Sequence, residues 1–334
     1  MRILAIESSC DDTSTAVLDD GVVRANIVLS QDEVHRPYGG VVPELASRSH
    51  MRAILPLLDK ALAQADTTLE EIDAVVATYG PGLVGSLLVG LNTAKAVAFA
   101  RNLPFLGVNH LEGHLLSPLI EADLEFPYVG LLVSGGHTSL YLAEDFGRYV
   151  HLGSTRDDAA GEAFDKVAKV MGLGFPGGKV IDDLARRGDP TAIAFPRARL
   201  KTRGNGTRFD FSFSGIKTAV ALWVQEHPLD SDQARADLAA SFQEAVVDML
   251  LETSFAALDA VACRRLAIAG GVSANSRLRA RAAAFAEERN VQVVIPPMRY
   301  CTDNAAMIGY AGWQRLCRGE QHSFDLNAFA DLPL

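Results

Sequence analysis

An approximate internal duplication constrains the fold of this chain more than any other feature of its sequence. Residues 2–30 contain three strand-like runs separated by turn-forming Ser, Asp and Gly residues. Residues 127–155 repeat the plan, with a Gly-rich turn after the first strand. Each of these groups of three strands forms a meander and is followed by runs with helical periodicity. The runs are Pro43–Ala65 and Gly85–Arg101 after the first meander, and Arg156–Met171 after the second. The sequence therefore predicts an α/β protein with two related lobes.

We expect the two lobes to enclose a central cleft. Ligands of open α/β sheets bind at the carboxyl ends of strands, so the turns after the first strand of each lobe would face one another. The predicted bounds are 1–124 with 304–334 for the N-terminal lobe and 125–303 for the C-terminal lobe. Two unrelated α/β domains are the alternative interpretation of the same pattern.

Three polar residues are predicted to begin helices, because each stands just before a periodic run. They are Asp157, Asn275 and Asp303, and their helices would end near Met171, Arg289 and Arg318, respectively.

The composition indicates a globular cytoplasmic protein. The longest apolar stretch, Gly85–Ala100, is interrupted by Asn92 and Lys95, so we expect no membrane span. Carboxylates occur near the N-terminus, before the apolar region of a signal peptide could form, so we expect no signal peptide. The four cysteines are far apart and form no C-x-x-C pair, as is typical of a reducing cytosol. The net charge of −10 argues against nucleic acid as a partner unless a local basic patch overrides it.

Three glycine-rich turns favour nucleotide or phosphate binding. They are Ser134–Thr138, Phe175–Gly178 and Gly270–Asn275, and two of them directly follow predicted strands. Glycine lets the backbone approach a ligand closely and leaves N–H groups free to hold phosphate oxygens. Ordinary tight turns use the same residues, and Asn275 would cap the following helix, contact a ligand, or do both.

A histidine pair is the candidate metal site. His110 and His114 are four residues apart, so on a helix both imidazoles lie on one face. Asp303 is a candidate third ligand, and a set of this kind suits iron or zinc. A packed or solvated histidine pair, with Asp303 acting only as a cap, is the alternative. Glu112 lies roughly 200° around the helix from both histidines, which excludes the geometry of a zinc peptidase.

Acidic and basic segments supply further candidates. Asp11 and Asp12 occupy the turn of the first meander, where they would orient a substrate amine or accept its proton, unless the turn is only a solvated one. Asp165 and Lys166 are predicted to form a charged pair on the surface of a helix. A basic run is a candidate contact for the phosphates of a nucleic-acid backbone, with a merely solvated charge run as the alternative, and its cations are Arg197, Arg199, Lys201, Arg203 and Arg208.

Ten segments, in order along nearly the whole chain, resemble those of the tRNA adenosine threonylcarbamoyltransferase family, formerly described as O-sialoglycoprotein endopeptidases. They are ESSCDDT, YGGVVPELASRSH, GPGLVGSLLVG, HLEGH, LLVSGGHTSL, DDAAGEAFDKVAK, FPGG, FDFSFSGIKT, AGGVSAN and CTDNAAM. The resemblance implies a two-lobed fold of the class that includes actin-like ATPases and sugar kinases.

The resemblance also implies particular ligands. A divalent metal, with iron favoured and zinc as the alternative, would be held by His110, His114 and Asp303. ATP or ADP is an expected further occupant of the cleft. The implied site for threonylcarbamoyl-adenylate consists of Val133, Ser134, Gly135, Gly136, His137, Asp165, Gly178, Asp182 and Asn275.

The implied reaction transfers the threonylcarbamoyl group to the exocyclic amine of the adenosine 3′ to the anticodon in ANN-decoding tRNAs and releases AMP. Asp11 and Asp12 are the candidate catalytic residues. The implied partners are tRNA, a paralogous actin-like subunit, a small ATPase and the upstream synthase that makes the adenylate. Asp12 stands where the family usually has Glu, which puts a role for the longer carboxylate in doubt.

Two other functions are compatible with the same fold. An ATPase or small-molecule kinase would normally carry an Asp-x-Gly-Thr type of turn, and Glu7–Ser14 contains no glycine. A non-catalytic scaffold subunit would have no need of the metal ligands at His110, His114 and Asp303.

Overall fold

The structure, a computed structural model, describes residues 1–198, 200 and 209–334. Its strands are β1 (Arg2–Glu7), β2 (Asp12–Asp19), β3 (Val22–Ser30), β4 (Ala74–Gly80), β5 (Phe105–Asn109), β6 (Tyr128–Val133), β7 (Thr138–Asp145), β8 (Arg148–Ser154), β9 (Arg265–Ala269) and β10 (Gln292–Val294). Its α-helices are α1 (Asp32–His35), α2 (Pro43–Gln64), α3 (Val84–Arg101), α4 (His110–Leu116), α5 (Ala160–Val170), α6 (Gly177–Ala185), α7 (Ser214–Glu226), α8 (Asp232–Ala260), α9 (Ser276–Arg289) and α10 (Ala305–Leu316). No helix among the described residues has the length and apolarity needed to cross a membrane.

The chain divides into two compact units. The first joins Met1–Ala122 with Pro296–Leu334, and the second is the continuous segment Asp123–Ile295. The lobe bounds drawn from the sequence stay a prediction, and they differ from these units in where they place residues 123–124 and 296–303.

The first unit is a five-stranded sheet with helices on both faces. Its strand order is β3-β2-β1-β4-β5, in which β1, β2 and β3 form an antiparallel meander and β4 and β5 run parallel to β1. Leu4 and Ile6 of β1 share a core with Leu58 of α2 and Leu91 of α3. Because side chains alternate along a strand, the neighbouring residues of β1 face the opposite side of the sheet. Helix α10 lies on that side, close enough that a side chain at Gly309 would overlap Leu18.

The second unit has its own sheet and core. The strand order is β10-β9-β6-β7-β8, with an antiparallel meander of β6, β7 and β8 and with β9 and β10 parallel to β6. Leu131 and Val133 of β6 are buried against the helices of this unit. Phe164 of α5 and Phe242 of α8 pack edge to face there, with ring centroids 5.2 Å apart.

The two sheets follow one plan. In each, the first strand of the meander pairs antiparallel with the second and parallel with a later strand that follows a helix. The predicted α/β fold with duplicated meanders is therefore confirmed.

The three predicted helix caps had different outcomes. Asn275 caps α9 as expected, because its side-chain oxygen accepts a hydrogen bond from the N–H of Leu278 at 2.9 Å. The predictions for Asp157 and Asp303 were wrong. Asp157 accepts hydrogen bonds from the N–H groups of Phe213 (2.7 Å) and Ser214 (3.2 Å) and so caps α7 instead of α5.

The last helix, α10, is capped by the residue after Asp303. The side-chain oxygen of Asn304 accepts a hydrogen bond from the N–H of Met307 at 3.0 Å. The carboxylate of Asp303 faces two histidines instead, as described next.

Candidate functional site

The short helix α4 holds two imidazoles side by side. Asn109 begins this helix, since its side-chain oxygen accepts hydrogen bonds from the N–H groups of Leu111 (2.8 Å) and Glu112 (3.4 Å). His110 and His114 are both buried, and their ring centroids lie 4.7 Å apart. The four-residue spacing thus brings the two rings together on one face, as the sequence predicted.

Asp303 completes a three-residue cluster. Its Oδ1 lies 3.0 Å from Nε2 of His114 and 3.6 Å from Nε2 of His110. The three candidate ligand atoms lie within 4.8 Å of one another. The segment that carries Asp303 belongs to the same compact unit as α4, so these contacts are made inside one unit.

The chemistry of this cluster fits a divalent metal. Two imidazole nitrogens and one carboxylate oxygen form a donor set that iron(II) and zinc both accept. Burial opposes a positive charge on His110, but the carboxylates of Asp303 and Glu7 outweigh it and raise the pKa of His110 to about 9. The surrounding side chains therefore attract a cation to this point.

Glu7 lies behind His110 and was not among the predicted site residues. It ends β1, its side chain is fully buried, and its Oε2 lies 3.2 Å from Nδ1 of His110. Burial opposes ionisation of Glu7, but the facing imidazole lowers the pKa of its carboxyl. The only signal in the sequence is an acidic residue at the end of an otherwise apolar strand, which many surface strands also show.

Glu112 points away from the two histidines. Its carboxylate accepts two hydrogen bonds from the Arg315 guanidinium, at 2.7 Å from Nε and 3.0 Å from Nη2. This bidentate pair joins α4 to α10 and agrees with the helical geometry that argued against a zinc peptidase.

The turn with Asp11 and Asp12 lies within electrostatic reach of the cluster. Burial raises the pKa of Asp12 to about 8, with the charges of Asp303 and Asp11 adding to the effect. Burial and Asp303 also raise the pKa of Asp11. The backbone of this turn is fixed to the end of β3, because the N–H of Gln31 donates to the carbonyl of Asp11 at 3.0 Å.

In the second unit, two glycine-rich turns meet at one edge of the sheet. The segment 134–137 follows β6 and the segment 270–275 follows β9, and these strands are parallel neighbours. Gly270 has a φ of +94° and lies directly against the backbone of Val133. Gly135, Gly136 and Gly271 have open space where a Cβ would be, so the backbone there is accessible to a ligand.

The other predicted substrate residues are fixed near these turns. Asp165 accepts a hydrogen bond from the N–H of Gly177 (2.7 Å), at the start of α6 and next to Gly178. Asp182 accepts one from the hydroxyl of Ser276 at 2.8 Å, and Asn275 donates one to Gln243 at 2.7 Å. Gln243 and Ser276 thus belong to this region, although no sequence pattern predicted a role for either.

A cavity of about 260 Å³ is lined by Ser276 and Gln243, the hydrogen-bond partners of Asp182 and Asn275. Its lining residues are Ala185, Arg186, Gly188, Pro190, Ala240, Gln243, Glu244, Ser276, Arg277 and Ala280. The predicted substrate residues thus all belong to the second unit, and the predicted metal ligands lie together in the first.

Of the five cations of the basic run, the structure describes Arg197. The guanidinium of Arg197 donates to Asp248 of α8 at 2.8 Å, so its charge is paired within the protein. Arg199, Lys201, Arg203 and Arg208 lie outside the described residues. Arg277 and Arg281 of α9 also pair with acidic residues of α8, namely Glu244 and Asp248, and add little uncompensated charge.

The fold and the site define a class of protein. Two sheets of one plan, with glycine-rich turns at strand ends, are found in the two-lobed actin-like class of ATPases and sugar kinases. Full-length HypF, solved in a phosphate- and nucleotide-bound form, superposes with a TM-score of 0.63 at 11% identity, over 94% of this chain and 55% of that one. The activator of the 2-hydroxyisocaproyl-CoA dehydratase from Clostridium difficile superposes with a TM-score of 0.52 at 14% identity, over 97% and 99%.

The sequence narrows this class to one family. The family model for tRNA N6-adenosine threonylcarbamoyltransferase matches residues 22–310. A relative of that name from Anaeromyxobacter dehalogenans (strain 2CP-1) is 55% identical over 330 residues, 98% of each chain. Another, from Kosmotoga olearia, is 50% identical over 336 residues, 100% of this chain and 99% of the relative. The chain belongs to the tRNA N6-adenosine threonylcarbamoyltransferase family, as its motifs predicted.

Proposed function

We propose that this protein transfers the threonylcarbamoyl group from threonylcarbamoyl-adenylate to the exocyclic amine of the adenosine 3′ to the anticodon in ANN-decoding tRNAs. The match to the transferase family over residues 22–310 supports this activity. We assign this activity to the site around His110, His114 and Asp303, because their three candidate ligand atoms converge on one point.

The adenylate is bound by the second unit. The open backbone at Gly135, Gly136 and Gly271 cradles the phosphate, since N–H groups of such turns bind anions. The cavity beside Asp182 and Ser276 receives the adenosine part of the adenylate. Holding both parts at once fixes the mixed anhydride in one orientation for attack.

His110, His114 and Asp303 would hold the metal, because Nε2 of each imidazole faces the carboxylate of Asp303. Iron is favoured and zinc is the alternative, since both accept this donor set. When bound, the ion supplies Lewis acidity toward the threonylcarbamoyl group.

The reaction needs one nucleophile, one leaving group and one proton acceptor. The amine nitrogen of adenosine forms a bond with the carbamoyl carbon, and the bond from that carbon to the phosphate oxygen breaks. AMP leaves with the bonding electron pair. Asp11 accepts the amine proton, and its raised pKa makes it a stronger base than an ordinary carboxylate. Asp12, with a pKa of about 8, is the second candidate for this role.

The proposal includes the partners that the family resemblance implies. They are tRNA, a paralogous actin-like subunit, a small ATPase and the upstream adenylate synthase, all in the cytoplasm. ATP or ADP is an additional ligand of the second unit. Arg197, Arg199, Lys201, Arg203 and Arg208 are the proposed tRNA contacts, and Arg197 would exchange its pairing with Asp248 for a phosphate.

The experiment combines a transfer assay with metal analysis. Purified protein, with its partner subunits, is incubated with synthetic threonylcarbamoyl-adenylate and unmodified tRNA, and modified adenosine is measured by mass spectrometry. We expect His110→Ala and Asp303→Ala to lose the bound metal and to lower the rate by roughly two orders of magnitude or more. His227→Ala, which replaces an exposed histidine of the second unit, is the control and should retain both.

Two outcomes would contradict the proposal. Wild-type protein that makes no modified adenosine but hydrolyses ATP steadily would favour an ATPase or kinase. Full activity and full metal content in both variants would remove His110 and Asp303 from the site.

A further inference from the structure

Glu7 is a buried carboxylate that the proposed reaction does not use. Both of its oxygens are occupied by neighbouring groups: the N–H of Ser9 donates to Oε1 at 2.5 Å, and the hydroxyl of Thr78 donates to Oε2 at 2.5 Å. Oε2 also faces Nδ1 of His110 at 3.2 Å. A carboxylate fixed in this way has one orientation, and that orientation presents an acceptor to the imidazole.

The acceptor determines which nitrogen of His110 is free to bind a metal. An ionised carboxylate has no proton to donate, so Nδ1 of His110 must carry the proton that lies between them. A metal that displaces the other proton of the imidazole then binds the lone pair of Nε2, and it is Nε2 that lies 3.6 Å from Asp303. The hydroxyl of Ser9, 3.1 Å from Nδ1, accepts or donates as required and does not oppose this arrangement.

The second histidine has no such support among the described residues. Nδ1 of His114 is buried and has no hydrogen-bond partner there, while its Nε2 faces Asp303. The two histidines are therefore unequal, and a carboxylate behind a ligating histidine is the usual means of fixing the ring and its tautomer.

We propose that Glu7 is a positioning residue that holds His110 with its proton on Nδ1 and thereby sets the affinity of the His110–His114–Asp303 centre for a divalent metal. This inference rests on the metal centre proposed above. Ser9 and Thr78 contribute indirectly, because their hydrogen bonds hold the carboxylate of Glu7 in place.

The substitution Glu7→Gln tests the role of the carboxylate at constant size. Its amide oxygen must stay where it accepts from the N–H of Ser9, which turns the NH₂ group toward Nδ1 of His110. Two donors then face each other whenever Nε2 binds a metal. We expect the affinity for Co²⁺, measured by competition with a chelator on the full chain, to fall roughly 10- to 100-fold.

Glu112→Gln is the matched control. Glu112 is also a buried carboxylate of the first unit and belongs to the helix that carries both histidines, but it pairs with Arg315. This variant removes the same charge and a buried ion pair, so it reports general destabilisation and should change the Co²⁺ affinity little. Thermal unfolding of the metal-free proteins shows how much stability each variant has lost.

A combined variant separates this inference from the metal centre itself. In a His110→Ala background, Glu7→Gln should have no further effect on Co²⁺ affinity, because its only route to the metal has been removed. If Glu7→Gln and Glu112→Gln weaken Co²⁺ binding equally, the positioning role is wrong and the metal centre stands. If His110→Ala binds Co²⁺ as tightly as wild type, the metal centre itself fails.

A measurement without any variant at Glu7 keeps the inference testable if Glu7→Gln does not fold. In the Zn²⁺-loaded wild-type protein, nitrogen NMR should show His110 bound to the metal through Nε2. Its Nδ1 proton should exchange slowly with water. Ligation through Nδ1, or a rapidly exchanging Nδ1 proton, would overturn the inference.

Discussion

Asp12 shows how burial and neighbouring charge act on a single residue of the proposed site. Its carboxyl is largely removed from water and lies near the charges of Asp303 and Asp11, which together raise its pKa to about 8. The family usually has Glu at this position, whose longer side chain would place the carboxyl elsewhere. In this chain Asp12 is thus protonated over much of the neutral range when no metal balances Asp303.

This shift predicts a pH dependence of stability. The pKa of Asp12 rises from 3.8 to about 8 on folding, so between these values the folded state binds a proton that the unfolded state lacks. The free energy of unfolding contributed by Asp12 therefore falls as the pH rises from about 4 to about 8, and stays constant above that. Asp12→Asn should stabilise the metal-free protein at the upper end by at least about 1.4 kcal/mol, the value of one pKa unit.

Thermal unfolding of chelator-treated protein across this pH range checks the prediction. The exposed Asp325→Asn serves as the control and should follow the wild-type curve. A wild-type stability that rises between about pH 5 and about pH 8 relative to Asp12→Asn would contradict the burial argument.

At the scale of single elements, α4 and the turn after β9 show how short segments acquire a fixed structure. Helix α4 has only seven residues, too few to be stable alone in water. The side chain of Asn109 caps it and also donates to the carbonyl of Leu332 in the C-terminal segment (3.1 Å), while Glu112 pairs with Arg315 of α10. Both contacts are made at the N-terminal end of α4, and the contact of the cap residue with the C-terminal segment fixes where the helix begins, next to His110.

We predict that replacing each of the two glycines in the turn after β9 by Ala will have a different effect. Gly270 has a φ of +94° and lies against the backbone of Val133, so Gly270→Ala introduces strain and overlap. We expect this variant to lose about 1–3 kcal/mol of stability. Gly271 has open space beside it, and Gly271→Ala should keep its stability but bind AMP more weakly, because the new methyl group would occupy the space proposed for the phosphate.

Chemical unfolding and calorimetric titration with AMP measure the two effects separately. Equal losses of stability in both variants would mean that Gly271 is packed against protein. Unchanged AMP affinity in Gly271→Ala would remove this turn from the nucleotide site.

At the scale of the whole molecule, the candidate sites are divided between the two compact units. The metal ligands lie in Met1–Ala122 and Pro296–Leu334, and the candidate substrate residues lie in Asp123–Ile295. Each unit has a core of its own, built on its own sheet. A ligand that binds one site should therefore give its strongest local stabilisation within the corresponding unit.

Hydrogen exchange of the full chain, followed by mass spectrometry, tests this division. Zn²⁺ should slow exchange most in α4, at the end of β1 and in the segment 301–305. AMP should slow it most in the turns 133–138 and 270–276. Strongest protection by AMP at α4, or by Zn²⁺ at the glycine-rich turns, would contradict the assignment of the two ligands.

Features that depend on nearby residues could be predicted from the sequence. The strand meanders, the glycine-rich turns and the cap at Asn275 rest on patterns within a few residues, and the structure confirms the meanders and this cap. The common face of His110 and His114 follows from helical spacing alone. The family could also be predicted, because its motifs are distributed over nearly the whole chain.

Only the tertiary structure decided which distant residues meet. Asp157 precedes α5 but accepts hydrogen bonds from Phe213 and Ser214 at the start of α7, 56 and 57 positions away. Glu7 and His110 are separated by 103 positions and Asp303 and His114 by 189, yet each pair is in contact. Local spacing fixes the face of a helix on which a side chain lies, whereas its partner depends on how strands and helices from remote parts of the chain pack together.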